Sequence, residues 1–438
     1  MNVTNDKELA QWLVDITKKK GASDAEVSIS SSKSTEVEIR KSKVEKIQEN
    51  IERGLSLKIF IDGKYSSHST NRLNKSDLEK FVDEGVAMTK YLEADEFRVL
   101  TDPKFYPTEF KDLKTCNTSV RDINTDQRKK IAQELEDAAL AESDKVISAT
   151  GSVYDWIGNS VKINSNGFNG SSDWSGVQMY CGVSMNDGDA KPEGGDYAYG
   201  RALTDLPSAE TIGRNATRNT ARKLGQEKIK SGKYDMLVEN KVASRLLSQF
   251  FGPMRASAIQ QKSSFLDNMK GKQIASKLLS VVDDPLIVGA LASCNFDADC
   301  IASKKRVMIE KGVLMDYYID NYYGRKLGWI PNGGATSNLL IDLGSRSIND
   351  ITKDIKNGII VTSFNGGNNN DTTGDFSYGV SGLLIENGII TKPINEMNIT
   401  GNAKDLWQRL VELGNDPFKY SSVQIPCMLF EGIEFSGL

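Results

Sequence analysis

The sequence predicts an α+β fold, in which N-terminal helices pack on a curved antiparallel sheet and a β-rich C-terminal domain with a long helix follows. Three observations lead to this prediction. Before residue 230, segments that alternate apolar and polar residues are interleaved with helical periodicities. After it, one helical stretch, Asn240 to about Gln261, precedes short strand signals separated by glycine-containing turns. The length of 438 residues suggests two or three domains.

The first part of the chain, residues 1–95, is predicted to be helix, antiparallel sheet and helix. Apolar residues at helical spacing indicate a helix from Asp6 to Lys19, with a capping-box pattern at Asn5 and Glu8. Asp62-Gly63 predicts a hairpin turn. A second helix is expected to begin at Ser76, capped with Glu79. Alternating segments predict strands at 26–29, 36–40 and 55–59.

The next part begins with an irregular connector, Phe97 to Asn124, which contains two prolines. A helix is predicted from Thr125 to Glu142, and Asn186 to Gly200 is expected to be a mobile loop. A long helix is expected over Ala209 to Lys230. Strands are predicted at 145–148, 160–163 and 176–180, with turns at Asn166-Gly167 and Asn169-Gly170. The predicted domains are 1–230, with subregions 1–95 and 120–230, and 231–438.

Turns divide the C-terminal region into short strands. Three similar turns combine polar residues with a glycine and lead into aliphatic runs, at Ile309–Gly312, Ile355–Gly358 and Ile385–Gly388. Each is typical of a β-hairpin. The pairs Gly333-Gly334 and Gly366-Gly367 predict loops that expose their backbone.

Composition argues against several classes of function. The net charge of −4 at pH 7, without a long basic run, disfavours direct nucleic-acid binding. No apolar run approaches the ~18 residues of a membrane span, and no apolar signal region follows Met1. We therefore expect a cytoplasmic protein with no membrane partner. The five cysteines form no CxxC pair and are expected to be reduced thiols.

The single histidine of the chain, His68, limits its chemistry. Zinc hydrolases usually use two or three imidazole ligands, and Ser-His or Cys-His nucleophile pairs need one. This chain therefore cannot build a His-based metal site alone. Either it is another kind of protein, or its catalytic parts belong to another chain. His68 itself is more simply interpreted as a surface or core residue than as a base.

Two kinds of cluster could carry chemistry, and each has a simpler interpretation. Cys294 to Cys300 contains two thiols and two carboxylates, but it mixes soft and hard ligands without histidine, which favours a structured turn over a metal site. The glycine pairs match neither the Walker nor the dinucleotide pattern. In a β-rich context they favour a groove for an extended peptide, or plain loops. The candidate peptide-binding residues are Asn332, Gly333, Gly334, Asn365, Gly366 and Gly367.

Short motifs follow one another through the second half of the chain. In order they are Gln261–Leu266, Tyr323–Gly328, Thr373–Gly379, Ile385–Gly388, Ile399–Asn402 and Gly414–Asp416. Asn164–Gly167 is a weaker match earlier in the chain. With these motifs the chain resembles the TldD/PmbA family, often labelled modulators of DNA gyrase, and it is most similar to the PmbA branch, also called TldE. The resemblance covers most of the chain and implies a TldD/PmbA-like fold.

The resemblance implies a division of roles between two kinds of chain. TldD-type chains resemble zinc metallopeptidases with a helical HExxxH motif and a later cysteine ligand, whereas PmbA-type chains pair with them and lack that motif. Here the corresponding positions hold Ser248, Gln249 and Pro253. Serine and proline offer no imidazole, and an amide cannot act as a general base. We expect no metal or cofactor on this chain, and zinc on a TldD-like partner.

The leading hypothesis is a non-catalytic PmbA/TldE-type subunit of a cytoplasmic TldD/TldE-like metallopeptidase that acts on extended or unfolded peptides. The chain would cap the active cavity of its partner and bind peptide through strand-edge backbone groups. The alternative is a homo-oligomeric peptide-binding or scaffold protein without a peptidase partner, and a homodimer remains open. A free-standing serine or carboxylate hydrolase is disfavoured, because no GxSxG motif is present. Any effect on gyrase would pass through turnover of a peptide or protein that acts on it.

Overall fold

The computed structural model describes residues 3–438. Its first sheet is antiparallel and has six strands in the spatial order β3-β2-β1-β4-β5-β6. The long strands β1 and β4 largely alternate buried and half-exposed residues, as expected of a sheet covered on one face. The strands are β1 Asp24–Arg40, β2 Lys43–Ile61, β3 Lys64–Thr70, β4 Val146–Asn164, β5 Asn169–Met185 and β6 Glu193–Gly200.

Four helices cover one face of this sheet, and they divide its core into two clusters. The first pair of helices packs on a cluster that includes Ile29 and Leu57, and the second pair on a cluster that includes Val153 and Val177. The predicted packing of N-terminal helices on an antiparallel sheet is confirmed. The helices are α1 Val3–Lys19, α2 Lys75–Thr89, α3 Thr125–Ala141 and α4 Ala209–Ala221.

Two predicted helix starts are wrong. Helix α1 already includes Asn5 and Glu8, so this pair lies inside the helix rather than at its start. Helix α2 begins at Lys75, and its cap is Asn74, whose side-chain oxygen accepts a hydrogen bond from the Asp77 backbone N–H at 3.0 Å. The Asn74 side chain therefore caps the helix, a role that the sequence pattern assigned to Ser76 and Glu79.

The middle of the N-terminal region has fewer and longer strands than predicted. The segments 145–148 and 160–163 are the two ends of β4, and Asn169-Gly170 belongs to β5 rather than to a turn. Residues 193–200 of the expected mobile loop form β6, paired with β5. The turn at Asn166-Gly167 is confirmed, and the glycine has a φ of 110°.

Of two further predictions for this region, one is confirmed and one is wrong. The irregular connector from Phe97 to Asn124 is confirmed, since it contains only two short 3-10 turns, Pro103–Phe105 and Thr118–Asp122. The long helix expected to reach Lys230 instead ends at Ala221. Gly225, with a φ of 72°, continues the chain in a conformation that a helix cannot contain.

The C-terminal region contains two sheets and five short helices, and the α+β fold class is confirmed. One sheet has the order β10-β9-β8-β11-β16, and the other β14-β13-β12-β7-β17-β15. The strands are β7 Gly232–Val238, β8 Val281–Asp283, β9 Arg306–Glu310, β10 Val313–Leu314, β11 Leu339–Ile341, β12 Asn357–Asn369, β13 Asp375–Glu386, β14 Ile389–Asn402, β15 Leu410–Leu413, β16 Val423–Gln424 and β17 Met428–Ser436. The helices are α5 Asn240–Leu247, α6 Ala256–Gln260, α7 Asn321–Leu327, α8 Ile348–Asp354 and α9 Ala403–Gln408.

The long helix predicted from Asn240 to Gln261 is broken. It consists of α5, a 3-10 turn over Ser248–Phe250, an irregular turn and α6. Pro253 lacks the N–H that would continue the helical hydrogen bonds, and in a regular helix its ring would clash with the carbonyl four residues earlier. The break lies at the positions where the resemblance places a metal-binding helix.

Two of the three similar turns are hairpins. Lys311-Gly312 and Asn387-Gly388 have positive φ at both residues, as a type I′ turn requires. The third prediction is wrong, because Asn357-Gly358 starts β12, which runs parallel to β7 with Gly358 beside Asp235. Within residues 3–438, no helix combines the length and apolar content needed to cross a bilayer.

Candidate functional site

Gln249 lies in the broken helix and is buried, with 2% of its surface exposed. Its side-chain oxygen accepts a hydrogen bond from the indole Nε1–H of Trp407 at 3.1 Å. Its Nε2 donates to the hydroxyl of Tyr378 at 3.3 Å. Both aromatic partners are fully buried. The amide is therefore held on both sides by aromatic groups and lies within the core.

The other two positions of the degenerate motif offer no ligand set for zinc. The hydroxyl of Ser248 donates to the carbonyl of Arg245 at 2.7 Å, so it caps its own helix. Pro253 has no side-chain donor atom, and its carbonyl accepts from the hydroxyl of Ser264 at 2.6 Å. Zinc sites in proteins are built from thiolate, imidazole and carboxylate ligands, which these residues do not supply. Across residues 3–438, no three His, Cys, Asp or Glu side chains are placed to hold a metal ion.

Tyr378 connects the broken helix to the sheet beneath it. Its hydroxyl bonds to the side-chain oxygen of Asn369, and its ring stacks on Phe376 with centroids 5.3 Å apart. The guanidinium of Arg245 lies 5.1 Å from the ring centroid, within range of a cation–π interaction. Burial raises the pKa of Tyr378, while the hydrogen bond with Gln249 acts in the opposite direction. The phenol is therefore neutral at physiological pH.

The turn between β12 and β13 closes over the break in the helix. A Cβ added at Gly252 would lie 2.0 Å from the carboxylate of Asp371, so a larger residue at this position would require the Asp371 side chain to move. The Asp371 carbonyl accepts from the backbone N–H of Phe265 at 2.8 Å. Desolvation raises the pKa of Asp371, and nearby Arg255 partly opposes that rise. The carboxylate thus lies against the backbone of the turn that breaks the helix.

The first candidate peptide-binding segment, Asn332–Gly334, is tied into the fold. Arg306 donates through Nη1 to the carbonyls of Asn332, at 3.0 Å, and Gly333, at 2.9 Å. The N–H groups of Asn332 and Gly333 donate to the carbonyl of Ile319. The N–H of Gly334 donates to the carboxylate of Asp297 at 3.3 Å. The backbone groups that a peptide would need are engaged within the chain.

The second candidate segment, Asn365–Gly367, lies at an open strand edge. Strand β12 pairs with β13 on one side, but β7 covers its other side only from Gly358 to Val361. All three residues of the segment are exposed. Gly366 and Gly367 form a bulge with φ of 68° and 99°. The Nη2 of Arg245 donates to the carbonyl of Gly367 at 3.3 Å, which links this edge to the broken helix.

Two cavities lie close to these segments. One, of about 590 Å³, includes Asn332 in its lining, together with the stacked rings of Tyr317 and Trp329, whose centroids are 5.3 Å apart. The other, of about 480 Å³, lies between the N-terminal sheet and the start of α5 and reaches Thr362 of β12. Asn332 of the first segment thus lines a cavity, whereas the second segment is the one linked to the broken helix, through Arg245.

Other residues singled out in the sequence have structural surroundings. His68 bonds through Nε2 to the hydroxyl of Ser66 at 2.8 Å, and burial lowers its pKa. Cys294 to Cys300 forms a turn in which the Asp297 carboxylate accepts backbone N–H groups of Asp299 and Ile301, each at 2.9 Å. Sequence reasoning missed Arg245 and Tyr378 as neighbours of the degenerate motif. Tyr378 falls within the family-like motif Thr373–Gly379, and this was the one feature of the sequence that could have pointed to it.

Models of the PmbA/TldA metallopeptidases match three consecutive parts of the chain. The model of domain 1 matches residues 25–89, and the central-domain model matches residues 119–224. The C-terminal-domain model matches residues 231–437, which contain the broken helix and both candidate segments.

Individual proteins give the same result over nearly the whole length. Metalloprotease PmbA of Escherichia coli O157:H7 is 29% identical over 430 residues, which are 95% of this chain and 93% of that protein. A crystal structure from Bacteroides thetaiotaomicron, of a proposed modulator of DNA gyrase, is 40% identical, covers 99% of both chains and has a TM-score of 0.96. The structure of TldE from Thermococcus kodakarensis, 19% identical, has the same fold, with a TM-score of 0.87 over 98% of this chain and 100% of that one.

Proposed function

The chain belongs to the PmbA/TldD metallopeptidase family, and from this membership we propose that it is a PmbA/TldE-type subunit without peptidase chemistry of its own. In this proposal it associates with a TldD-like subunit that carries zinc. The complex acts on extended or unfolded peptides, and this chain helps to admit and hold them.

The single observation that supports a non-catalytic role is the state of Gln249. A metallopeptidase needs a carboxylate at the general-base position, placed to take a proton from water. Gln249 cannot take a proton, and its amide is already bonded to Trp407 and Tyr378 inside the core. The two flanking motif positions, Ser248 and Pro253, supply no zinc ligand of the usual kinds.

The open edge of β12 supports the peptide-binding part of the proposal. An extended peptide can add to such an edge through main-chain hydrogen bonds, with little dependence on its side chains. Residues beyond Val361 have no strand on this side among residues 3–438, and Asn365–Gly367 are exposed there. This edge is therefore preferred to Asn332–Gly334, whose backbone is already bonded within the chain.

The catalytic assignment is tested with the purified chain, a TldD-like chain from the same genome, and their mixture. We expect the chain alone to contain no zinc and to cleave no unfolded peptide, whereas the mixture is active and the two chains co-purify. Elemental analysis and cleavage of an unfolded fluorogenic peptide are the measurements. Stoichiometric zinc on the isolated chain, or cleavage by it, would sink the proposal.

The strand-edge mode of binding is tested with a matched pair of peptides. One is an ordinary extended peptide, and the other has the same sequence with alternate backbone nitrogens methylated. Main-chain pairing needs those N–H groups, so we expect the methylated peptide to lose affinity for the complex, measured by fluorescence anisotropy. Equal affinities would rule out strand addition.

The alternative is a homo-oligomeric peptide-binding scaffold. Association with a TldD-like partner distinguishes the two proposals. A scaffold would bind the ordinary peptide alone and would not co-purify with a TldD-like chain. An effect on DNA gyrase, the property named for the Bacteroides relative, would in our proposal follow from turnover of a peptide or protein that acts on gyrase.

A further inference from the structure

The hairpin of β1 and β2 leaves a long strand edge open. Strand β2 pairs with β1 along its length, whereas β3 covers only the part from Leu55 to Ile61. Among residues 3–438, no strand pairs with the outer side of β2 from Lys43 to Gly54. We call this stretch the β2 edge. Its unpaired N–H and C=O groups form a template to which another strand can add.

Two isoleucines on the β2 edge are unusually exposed for a sheet of this kind. Ile47 is 49% exposed and Ile51 is 71% exposed. Ile47 lies directly across from Val37 of β1, which is fully buried in the core cluster formed with α3. The two isoleucines therefore continue the buried face of the sheet beyond its helical cover. A further strand alongside β2 would cover part of both side chains.

The order of side chains along the β2 edge is complementary to its own reverse. If two copies pair antiparallel with Glu49 opposite itself, Lys46 faces Glu52 of the second copy, and Ile47 faces its Ile51. Opposite charges and apolar pairs directly across two strands are the combinations that stabilise a sheet. Gln48 and Asn50 pair in the same register. This charge order argues for a second copy of the chain as the partner.

The centre of this register contains the one unfavourable pair, Glu49 with Glu49. Like charges directly opposite each other destabilise a strand pair. Within each copy, however, the Nζ of Lys33 lies 2.7 Å from the carboxylate of Glu49. Each of the two acids therefore has its own cation, and the central repulsion is reduced.

The length of the open edge fits the same register. Lys43, the strand residue next to the turn Lys41-Ser42, falls opposite Leu55 of the other copy, and Val44 falls opposite Gly54. Strand β3 begins to cover β2 at the next residue, where Leu55 pairs with Thr70. Pairing from Val44 to Gly54 therefore fills the open edge as far as β3. Only the end residue Lys43 meets the position that Thr70 of β3 already occupies, so Lys43 must lie outside the strand pair.

We propose that the β2 edge pairs antiparallel with the β2 edge of a second copy, with a two-fold axis at Glu49 that joins the two six-stranded sheets. This inference does not rest on the proposed function. One strand pair buries less than the ~1,200 Å² of standard complexes, so the dimer is weak and depends on concentration.

The register is tested by charge reversal in the full-length chain. Glu52→Lys places lysine opposite Lys46 of the second copy, and Lys46→Glu places two acids opposite each other. Each variant alone is expected to weaken self-association by about tenfold or more, measured by sedimentation equilibrium. An equimolar mixture of the two variants is expected to associate again, because each restores the charge that the other lacks. Glu84→Lys, on the exposed surface of α2, is the matched control.

A cysteine at the axis gives an independent measurement. Glu49→Cys places two thiols opposite each other, at a Cα separation that antiparallel strands share with disulfides, about 4.5–5.5 Å. Mild oxidation should give a disulfide-linked dimer, whereas Glu84→Cys should give none above the parent chain. The proposal is overturned if the parent is monomeric at every concentration, if both charge variants still self-associate, or if the mixed variants do not. Loss of binding to a TldD-like chain instead would assign the edge to that partner.

Discussion

The two glycine-containing segments look alike in the sequence, yet their environments are opposite. Asn332–Gly334 is held by a largely buried arginine, whose side chain is 10% exposed, and by backbone groups, whereas Asn365–Gly367 lies exposed near the end of β12. The difference arises from residues far away in the chain, chiefly Arg306 in the first case and the early end of β7 in the second. A glycine pair in the sequence indicates that other atoms can approach the backbone closely. It does not indicate whether those atoms belong to the same chain or to a ligand.

The largest expected effect comes from Arg306→Met. Asp283 is fully buried and accepts from the Nη2 of Arg306 at 2.8 Å, so the variant leaves a buried carboxylate without its cation. It also removes the donors to the first segment. We expect a loss of about 3–5 kcal/mol in the free energy of unfolding, measured by urea denaturation.

The matched control is Arg245→Met, the arginine that bonds to the second segment. Arg245 is exposed and donates to the Gly367 carbonyl at 3.3 Å. Its loss is expected to change the free energy of unfolding by about 0.5 kcal/mol or less. Equal losses of unfolding free energy in the two variants would contradict the conclusion that the first segment is held more firmly than the second.

The next effect is expected from Asn332→Ala. The Asn332 amide donates to Asp316 at 2.9 Å and to the Tyr317 carbonyl at 3.0 Å, and it accepts from the Ile319 N–H at 3.0 Å. Losing these bonds should cost about 2–3 kcal/mol of unfolding free energy, because the partners are left partly unsatisfied.

Asn365→Ala is the counterpart in the second segment. Asn365 is exposed, and its amide donates to the Ser381 hydroxyl at 2.7 Å. We expect a loss of about 1 kcal/mol or less in the same urea titration, since water can replace that donor. A cost as large as that of Asn332→Ala would mean that this edge is held as firmly as the first segment and is poorly suited to bind a peptide.

A further contrast lies within the second segment, between two neighbouring glycines. A Cβ at Gly367 would lie 2.2 Å from the Ser377 carbonyl, whereas a Cβ at Gly366 meets nothing within 4 Å. Both have positive φ, so alanine is strained at either position. Gly367→Ala should therefore cost about 1–2 kcal/mol more than Gly366→Ala in thermal or urea unfolding. The reverse order would contradict the bulge geometry.

Local sequence patterns predicted those parts of the fold that depend on turn residues and on alternation along a strand. The hairpins at Lys311-Gly312 and Asn387-Gly388 follow from a glycine at the second turn position, where a type I′ turn needs positive φ. The same pattern failed at Asn357-Gly358, because β12 pairs there with β7, more than 100 residues away in the sequence. The break in the long helix was signalled by Pro253, but apolar periodicity continued past it and favoured one helix.

The candidate site was predictable only in part. The family resemblance identified Ser248, Gln249 and Pro253 as the residues at the positions of the HExxxH motif. The partners of Gln249 were not predictable from local pattern, because Tyr378 is 129 residues away and Trp407 is 158 residues away. Only the packed structure shows that the amide is engaged on both sides.

The hydrogen-bonded row of Trp407, Gln249 and Tyr378 also has a consequence for the tolerance of the molecule to acid and alkali. Neither an indole nor an amide gains or loses a proton in the ordinary pH range. Burial raises the pKa of Tyr378, so the folded state keeps its phenol protonated beyond the pH at which the unfolded chain begins to ionise. The stability that this phenol contributes is present below pH ~10 and is lost only as the pH rises above it. Unlike a zinc site built on imidazoles, which acid would protonate and empty, this row of three side chains should be insensitive to acidification.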